Sequence, residues 1–221
     1  MIPSAFDYHR ARSIEDALAR LAAAGGNGKL LAGGHSLVPL MKLRLSAPDV
    51  LIDISRVPGL AGIRERDGKI EIGAATVHHD IATSALVRER CPMLAETARA
   101  IGDPQVRNRG TIGGSLAHAD PSADYPAAML ALDAEIVLRG PKGERVARAD
   151  GFFRDLFTVD MGADEIITAV RFRPVIAAAY AKLYQKASHY AIVGVAAALE
   201  VSGGKIRSAR IGVTGAAPSA A

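Results

Sequence analysis

The sequence predicts an α+β chain that opens with an α/β unit, continues through a longer region built on an antiparallel sheet, and closes with strands of a further small unit. Three observations predict it. Up to Leu60 the chain alternates helix-spaced and strand-like apolar runs. Beyond it, Asp67-Gly68 sits between two short alternating segments, a strong signal for a two-residue hairpin turn. Finally, three strand-like runs end the chain with no helical pattern to cover them.

Each element has a local reason. Ser13-Ile14-Glu15-Asp16 is a capping-box pattern, followed by Ile14, Ala17, Leu18 and Leu21 at helical spacing and stopped by Gly25-Gly26. A strand is expected over 29–32, a helix opened by Ser36 over 37–45, and a strand over 50–54. The hairpin strands are 63–66 and 69–72, and helices are expected over 78–87 and 92–101. Strands 135–139 and 144–148 flank Gly140-Pro141-Lys142-Gly143, and another is expected at 165–172. Arg173-Pro174 and the alanine-rich stretch after it read as a boundary. Strands at 182–186, 191–201 and 206–213 follow, the last two around Gly203-Gly204, and the chain stops at Ala221 as if a small domain were cut short. The expected units are therefore 1–56, 57–174 and 175–221.

Composition narrows the function. The 221 residues are 49% hydrophobic with no tryptophan and 5% aromatics, so the core is mostly Ala, Leu, Ile and Val. The net charge of +4 is spread out, apart from Arg107-Asn108-Arg109. Nucleic-acid binding needs a denser basic stripe with aromatic stacking partners, and none is present. A single cysteine, Cys91, excludes an intramolecular disulfide and leaves too few thiolates for an iron–sulfur cluster held by this chain. It reads as a small apolar residue before Pro92 at a helix start. No signal-peptide pattern and no membrane span stand out, so a cytoplasmic location is expected.

Two glycine pairs carry the chemistry: Gly33-Gly34-His35-Ser36 after Leu30-Leu31-Ala32, and Gly113-Gly114-Ser115 after Thr111-Ile112. Glycine lets consecutive N–H groups converge and keeps no Cβ in a ligand's way; a nearby hydroxyl suits a phosphate oxygen. Two such loops suit two phosphates, hence a dinucleotide. Neither loop has the three spaced glycines of the Rossmann pattern or a P-loop Lys-Ser/Thr. His118, Asp120 and Asp124 fall short of a metal-ligand set; Asp124 reads equally as a ribose acceptor or a helix N-cap. His78-His79 reads as a solvated helix start. Arg107 and Arg109 read as phosphate partners or as surface ion-pairing groups with equal weight.

At this point the residues resemble a family. Ala32-Gly33-Gly34-His35-Ser36-Leu37 with Leu40-Met41-Lys42-Leu43-Arg44-Leu45, then 107–115 with Ala119-Asp120-Pro121, Asp124 and Pro126, then 187–196, are similar in order and spacing to the FAD-binding medium subunit of the xanthine dehydrogenase and carbon monoxide dehydrogenase family of molybdenum hydroxylases. The resemblance implies an FAD-binding fold of two α+β subdomains, of the PCMH/vanillyl-alcohol-oxidase type, followed by a smaller C-terminal domain. It places Leu31, Ala32, Gly33, Gly34, His35, Ser36, Leu37, Thr111, Gly113, Gly114 and Ser115 at the cofactor's phosphates and adjoining groups. Ile101, Ala117 and His118 would lie along the cofactor, with Asp124 hydrogen-bonding nearby. Ile167 would sit by the isoalloxazine, Tyr190 would pack on the ring, and Lys182 rather than Lys186 would reach the cofactor. Relatives usually carry asparagine at the position of Ser115, whose reach is shorter. The implied function is electron transfer through FAD, with no catalytic side chain and no metal in this chain. The 2Fe-2S clusters belong to a small partner subunit and the molybdopterin cofactor to a large one, in a dimer of heterotrimers. A stand-alone flavin oxidase and a non-catalytic nucleotide-binding module are the alternatives.

Overall fold

The structure is a computed structural model that describes residues 2–221. Its N-terminal part contains β1 (Asp7–Arg10), α1 (Ile14–Ala23), β2 (Gly28–Leu31), α2 (Leu37–Lys42) and β3 (Val50–Asp53). The three strands form a parallel sheet in the order β1-β3-β2. The Ser13 side chain accepts from the Asp16 N–H at 3.1 Å. The return bond reaches one residue further back than a capping box predicts, with the Asp16 carboxylate accepting from the Arg12 N–H at 2.9 Å. Ala17, Leu21 and Ile52 then close a small core between helix and sheet. The sequence gives no sign of β1, whose four residues are all exposed.

The middle part runs β4 (Ile63–Arg66), β5 (Lys69–Gly73), α3 (His78–Thr83), α4 (Ala85–Arg90), α5 (Pro92–Ala100), α6 (Pro104–Arg107), α7 (Ile112–His118), α8 (Asp124–Ala131), β6 (Glu135–Gly140), β7 (Gly143–Arg148), α9 (Ala149–Phe152), β8 (Phe153–Asp155), β9 (Thr158–Val159) and β10 (Ile166–Phe172). Its antiparallel sheet has the order β4-β5-β10-β6-β7. The expected hairpin forms, with Asp67 and Gly68 both at positive φ, 52° and 72°. The helix expected over 78–87 is two helices, because Ser84 leaves helical geometry and its hydroxyl caps α4 by accepting from the Val87 N–H. Ile70, Ile72, Ile136, Leu138, Val170 and Phe172 share one core with α3, α5 and α8. Buried Glu71 bridges Arg64 and Arg171 within the same sheet. Cys91 lies at the N-cap position of α5, fully buried, and burial pushes its thiol up to about 11.

The last part is an antiparallel sheet, β11 (Ala178–Tyr184), β12 (Ala191–Ser202) and β13 (Lys205–Thr214), in sequential order. The alanine-rich stretch, expected only as a boundary before a strand at 182–186, leads into β11, whose first small residues pair against Ala196–Ala198. Ala196 and Ala198 join the main core. The Thr214 hydroxyl donates to the carbonyls of Pro121 and Ala123 at 2.6 and 2.7 Å, fastening this sheet to the segment before α8.

Leu94 is central to the main core, so Leu94→Ala is expected to cost about 2–5 kcal/mol of stability. Val146→Ala, at a position 47% exposed, should stay within about 0.5 kcal/mol. Urea unfolding midpoints of the two variants test the contrast.

Candidate functional site

The first glycine pair forms the turn between β2 and α2. Gly34 has φ +76°, which reverses the chain, and Gly33 lies against the Arg109 carbonyl oxygen and the Gly110 Cα, where any Cβ would collide. Among the described residues the N–H groups of 33–37 find no acceptor. Ser36 occupies the N-cap position of α2, yet its hydroxyl makes no capping bond. The turn therefore presents a run of open donors beside a free hydroxyl, an arrangement suited to an anion.

The second pair corrects the sequence reading. Gly113-Gly114-Ser115 is not a loop: Thr111 makes a lone bridge to Val77 and caps α7, so Gly113 and Gly114 lie in the first turn of a helix. Their donors are already engaged. The N–H of Ile112 bonds Thr76 O at 3.1 Å, that of Gly113 bonds Ala74 O at 2.9 Å, and that of Ser115 bonds Thr111 O at 3.0 Å. Gly114 N–H donates to the Thr111 hydroxyl at 3.2 Å. Gly113 is small because α7 packs on the backbone of Ala74. The two pairs are thus neighbours but not equivalents: one offers donors, the other a wall and the positive end of a short helix.

Between them opens a cavity of about 780 Å³, inside the range of about 300–1,000 Å³ usual for small-molecule sites. It is lined by Ala32, Gly33, Gly34, His35, Ser36, Leu37, Ile101, Thr111, Gly113, Gly114, Ser115, Ala117, His118, Asp124, Ile167 and Tyr190. Leu31 and Lys182 do not reach it. Leu31 packs behind Gly34, and the Lys182 ammonium is held by the Asp124 carboxylate at 2.8 Å. Lys186 is exposed outside. Asp124 is the first residue of α8 rather than its N-cap. Burial pushes its carboxyl upward, opposed by Lys182 and Tyr180. Arg107 binds the carbonyls of Ile101 and Gly102, both at 3.0 Å, while Arg109 supports the site through its backbone. No group of metal-ligating side chains occurs among the described residues.

The sequence reading missed part of the wall: Lys29, His78, the 161–166 segment, Ser188 and His189 also line the cavity. His78 is 5% exposed rather than solvated, and burial lowers its imidazole from 6.5 to about 4, helped by His35 and Arg107. Its Nδ1 has no partner, and its ring meets Tyr125 edge-on at 5.2 Å. The signal was present: His78 shares helical spacing with Ile81 and Ala82, both buried. His118 is flanked by Phe157 of the β8–β9 turn, with ring centroids 5.0 Å apart.

Residues 4–174 match the family described as FAD binding domain in molybdopterin dehydrogenase. The chain is 46% identical to the carbon monoxide dehydrogenase medium chain of Hydrogenophaga pseudoflava, covering 100% of this chain and 78% of that one. It is 42% identical to the 6-hydroxypseudooxynicotine dehydrogenase complex subunit alpha of Paenarthrobacter nicotinovorans, over 100% of this chain and 76% of that one. Its fold superposes on a chain of the H. pseudoflava carbon monoxide dehydrogenase structure lacking the Mo-pyranopterin moiety, with a TM-score of 0.97 over 100% of this chain and 78% of that one, at 46% identity.

The depressed His78 has a pH consequence. Its folded-state value lies below its unfolded one, so the unfolded chain binds the extra proton between about pH 6.5 and 4. Stability present at pH 7 is expected to fall by about 3 kcal/mol across that window. His78→Gln should flatten that part of the curve of urea midpoint against pH; parallel curves would refute the assignment.

Proposed function

The chain belongs to the family of FAD-binding domains in molybdopterin dehydrogenases, and on that footing we propose that it is the FAD-carrying, electron-transferring medium subunit of a molybdenum hydroxylase. One observation carries this reading: a turn of open N–H donors at Gly33–Leu37 leans on the Arg109-Gly110 backbone and faces the start of α7 across the cavity. A Cβ at Gly33 would fill that junction, and the free Ser36 hydroxyl adds a donor beside it.

In this reading, Ala32 to Leu37 hold the diphosphate through their backbone. Thr111, Gly114 and Ser115 close the opposite side with a helix end. Each charge-assisted N–H contact contributes on the order of 1.5–3 kcal/mol, so a few suffice for firm binding without a covalent link. Ile101, Ala117 and His118 exclude water along the cavity, and Ile167 and Tyr190 pack against the ring system. Leu31 backs the turn, and Gly113 lets α7 dock. The units 1–56, 57–174 and 175–221 supply the first glycine turn, the second segment with the main sheet, and Tyr190.

When bound, FAD exchanges single electrons on one side and electron pairs on the other, and the protein sets its position and potential. Cys91, the single cysteine of this sequence, cannot hold a cluster, which agrees with electrons arriving from a small subunit with 2Fe-2S clusters. A large molybdopterin subunit hydroxylates the substrate, in a cytoplasmic dimer of heterotrimers. Relatives named for carbon monoxide and for 6-hydroxypseudooxynicotine lie at 46% and 42% identity, which supports substrate choice outside this chain.

Titration of FAD with the purified chain, followed by quenching of flavin fluorescence, tests the site. Ser36→Ala should weaken binding about tenfold while leaving the unfolding midpoint unchanged, because the hydroxyl makes no capping bond. Gly33→Ala should weaken it further by parting the turn from Arg109. Unaltered affinity in both variants would refute the placement of the phosphates.

A further inference from the structure

Of the carboxylates that line the cavity, Asp124 alone is buried, at 5% exposure. The groups that hold it lie outside the cavity, on β11. Tyr180 and Lys182 are two residues apart and so share one face of that strand. The Tyr180 hydroxyl donates to Asp124 Oδ1 at 2.5 Å. Lys182 Nζ lies 2.8 Å from Oδ1 and 2.9 Å from Oδ2. Gly194, opposite Lys182 on β12, leaves the space that the Tyr180 hydroxyl occupies; a Cβ there would overlap it. Lys182 also donates to the carbonyl of Ala100 at 3.0 Å, at the end of α5. The next two carbonyls, Ile101 and Gly102, are held by Arg107. Two cations therefore cap the negative end of α5 where it meets the cavity.

We propose that Tyr180 and Lys182 are positioning residues for the flavin nucleotide, acting through Asp124. The inference rests on the functional reading above. A carboxylate buried without a counter-charge is costly. Lys182 supplies that charge and Tyr180 fixes the orientation of the group, so the remaining lone pairs of Asp124 face the cavity as acceptors for a hydroxyl or N–H of the cofactor. The ammonium of Lys182 is neutralised in the same arrangement, and it serves the site behind the wall rather than as a phosphate ligand. The third sheet thus acts on the site through one side chain.

A double-mutant cycle on the purified chain with added FAD tests this. Tyr180→Phe keeps the ring and should weaken FAD about fivefold; Lys182→Met should weaken it about tenfold or more. Both effects should vanish in an Asp124→Asn background, because the group they act through no longer needs orientation or charge. The midpoint potential of bound flavin gives a second readout. Lys182→Met leaves an uncompensated negative charge and should move it to more negative values, and adding Asp124→Asn should return it toward that of the unaltered chain. Effects of full size that persist with Asp124→Asn overturn the proposal in favour of general support by the third sheet, as does unaltered affinity and potential in both single variants. If the unaltered chain binds no FAD, the functional reading fails first and this inference with it. Unfolding midpoints near that of the unaltered chain identify the loss as local, and Tyr180→Phe, which removes one oxygen, keeps the test decisive if Lys182→Met folds poorly.

Discussion

Gly33 lies so close to the Arg109 carbonyl and the Gly110 Cα that two stretches of main chain, far apart in sequence, meet with no side chain between them. The turn after β2 has few bonds of its own and takes its position from that contact. The segment it leans on is fixed in turn by Gly110 N–H to Val106 O at 2.7 Å and by His78 N–H to Gly110 O at 3.0 Å. Burial of His78 beneath Gly110 completes the support and keeps the imidazole uncharged, with its buried Nδ1 unpaired among the described residues. The site is held up from behind, which leaves its open face to a ligand.

The division of labour between the glycine pairs follows from hydrogen-bond accounting. At Gly33–Leu37 the donors lack acceptors among the described residues, a costly condition unless water or an anion supplies them. At α7 every early donor is engaged, so the glycines there permit close packing against Ala74 and contribute only the direction of the helix. Similar dipeptides thus do different work, set by what lies next to them.

The sequence disclosed elements whose signals are local: the Ser13 cap, the Asp67-Gly68 turn, the paired strands β6 and β7 to within a residue at their joined ends, and the two glycine pairs. It concealed elements whose reasons are tertiary. β1 shows no alternating burial because its four residues are exposed and it exists by pairing with β3. α7 looked like a loop because Gly113 is required by Ala74, a neighbour 39 positions away that spacing does not reveal. The alanines before Lys182 read as part of a boundary because small residues carry little pattern, although they pair strand to strand with other alanines. In the site, most of the expected lining does gather around the cavity. The fate of Lys182 was not legible, since its choice of Asp124 over the cavity depends on how β11 packs on α5 while β12 and β13 pack on α8.

The lone thiol has a consequence of its own. Cys91 is buried at the start of α5, and with its titration raised to about 11 the nucleophilic thiolate is only on the order of one part in ten thousand at neutral pH. In a protein built to handle electrons, sulfur of this kind is kept out of circulation: it lines no part of the cavity, and oxidants and disulfide partners meet little thiolate to react with.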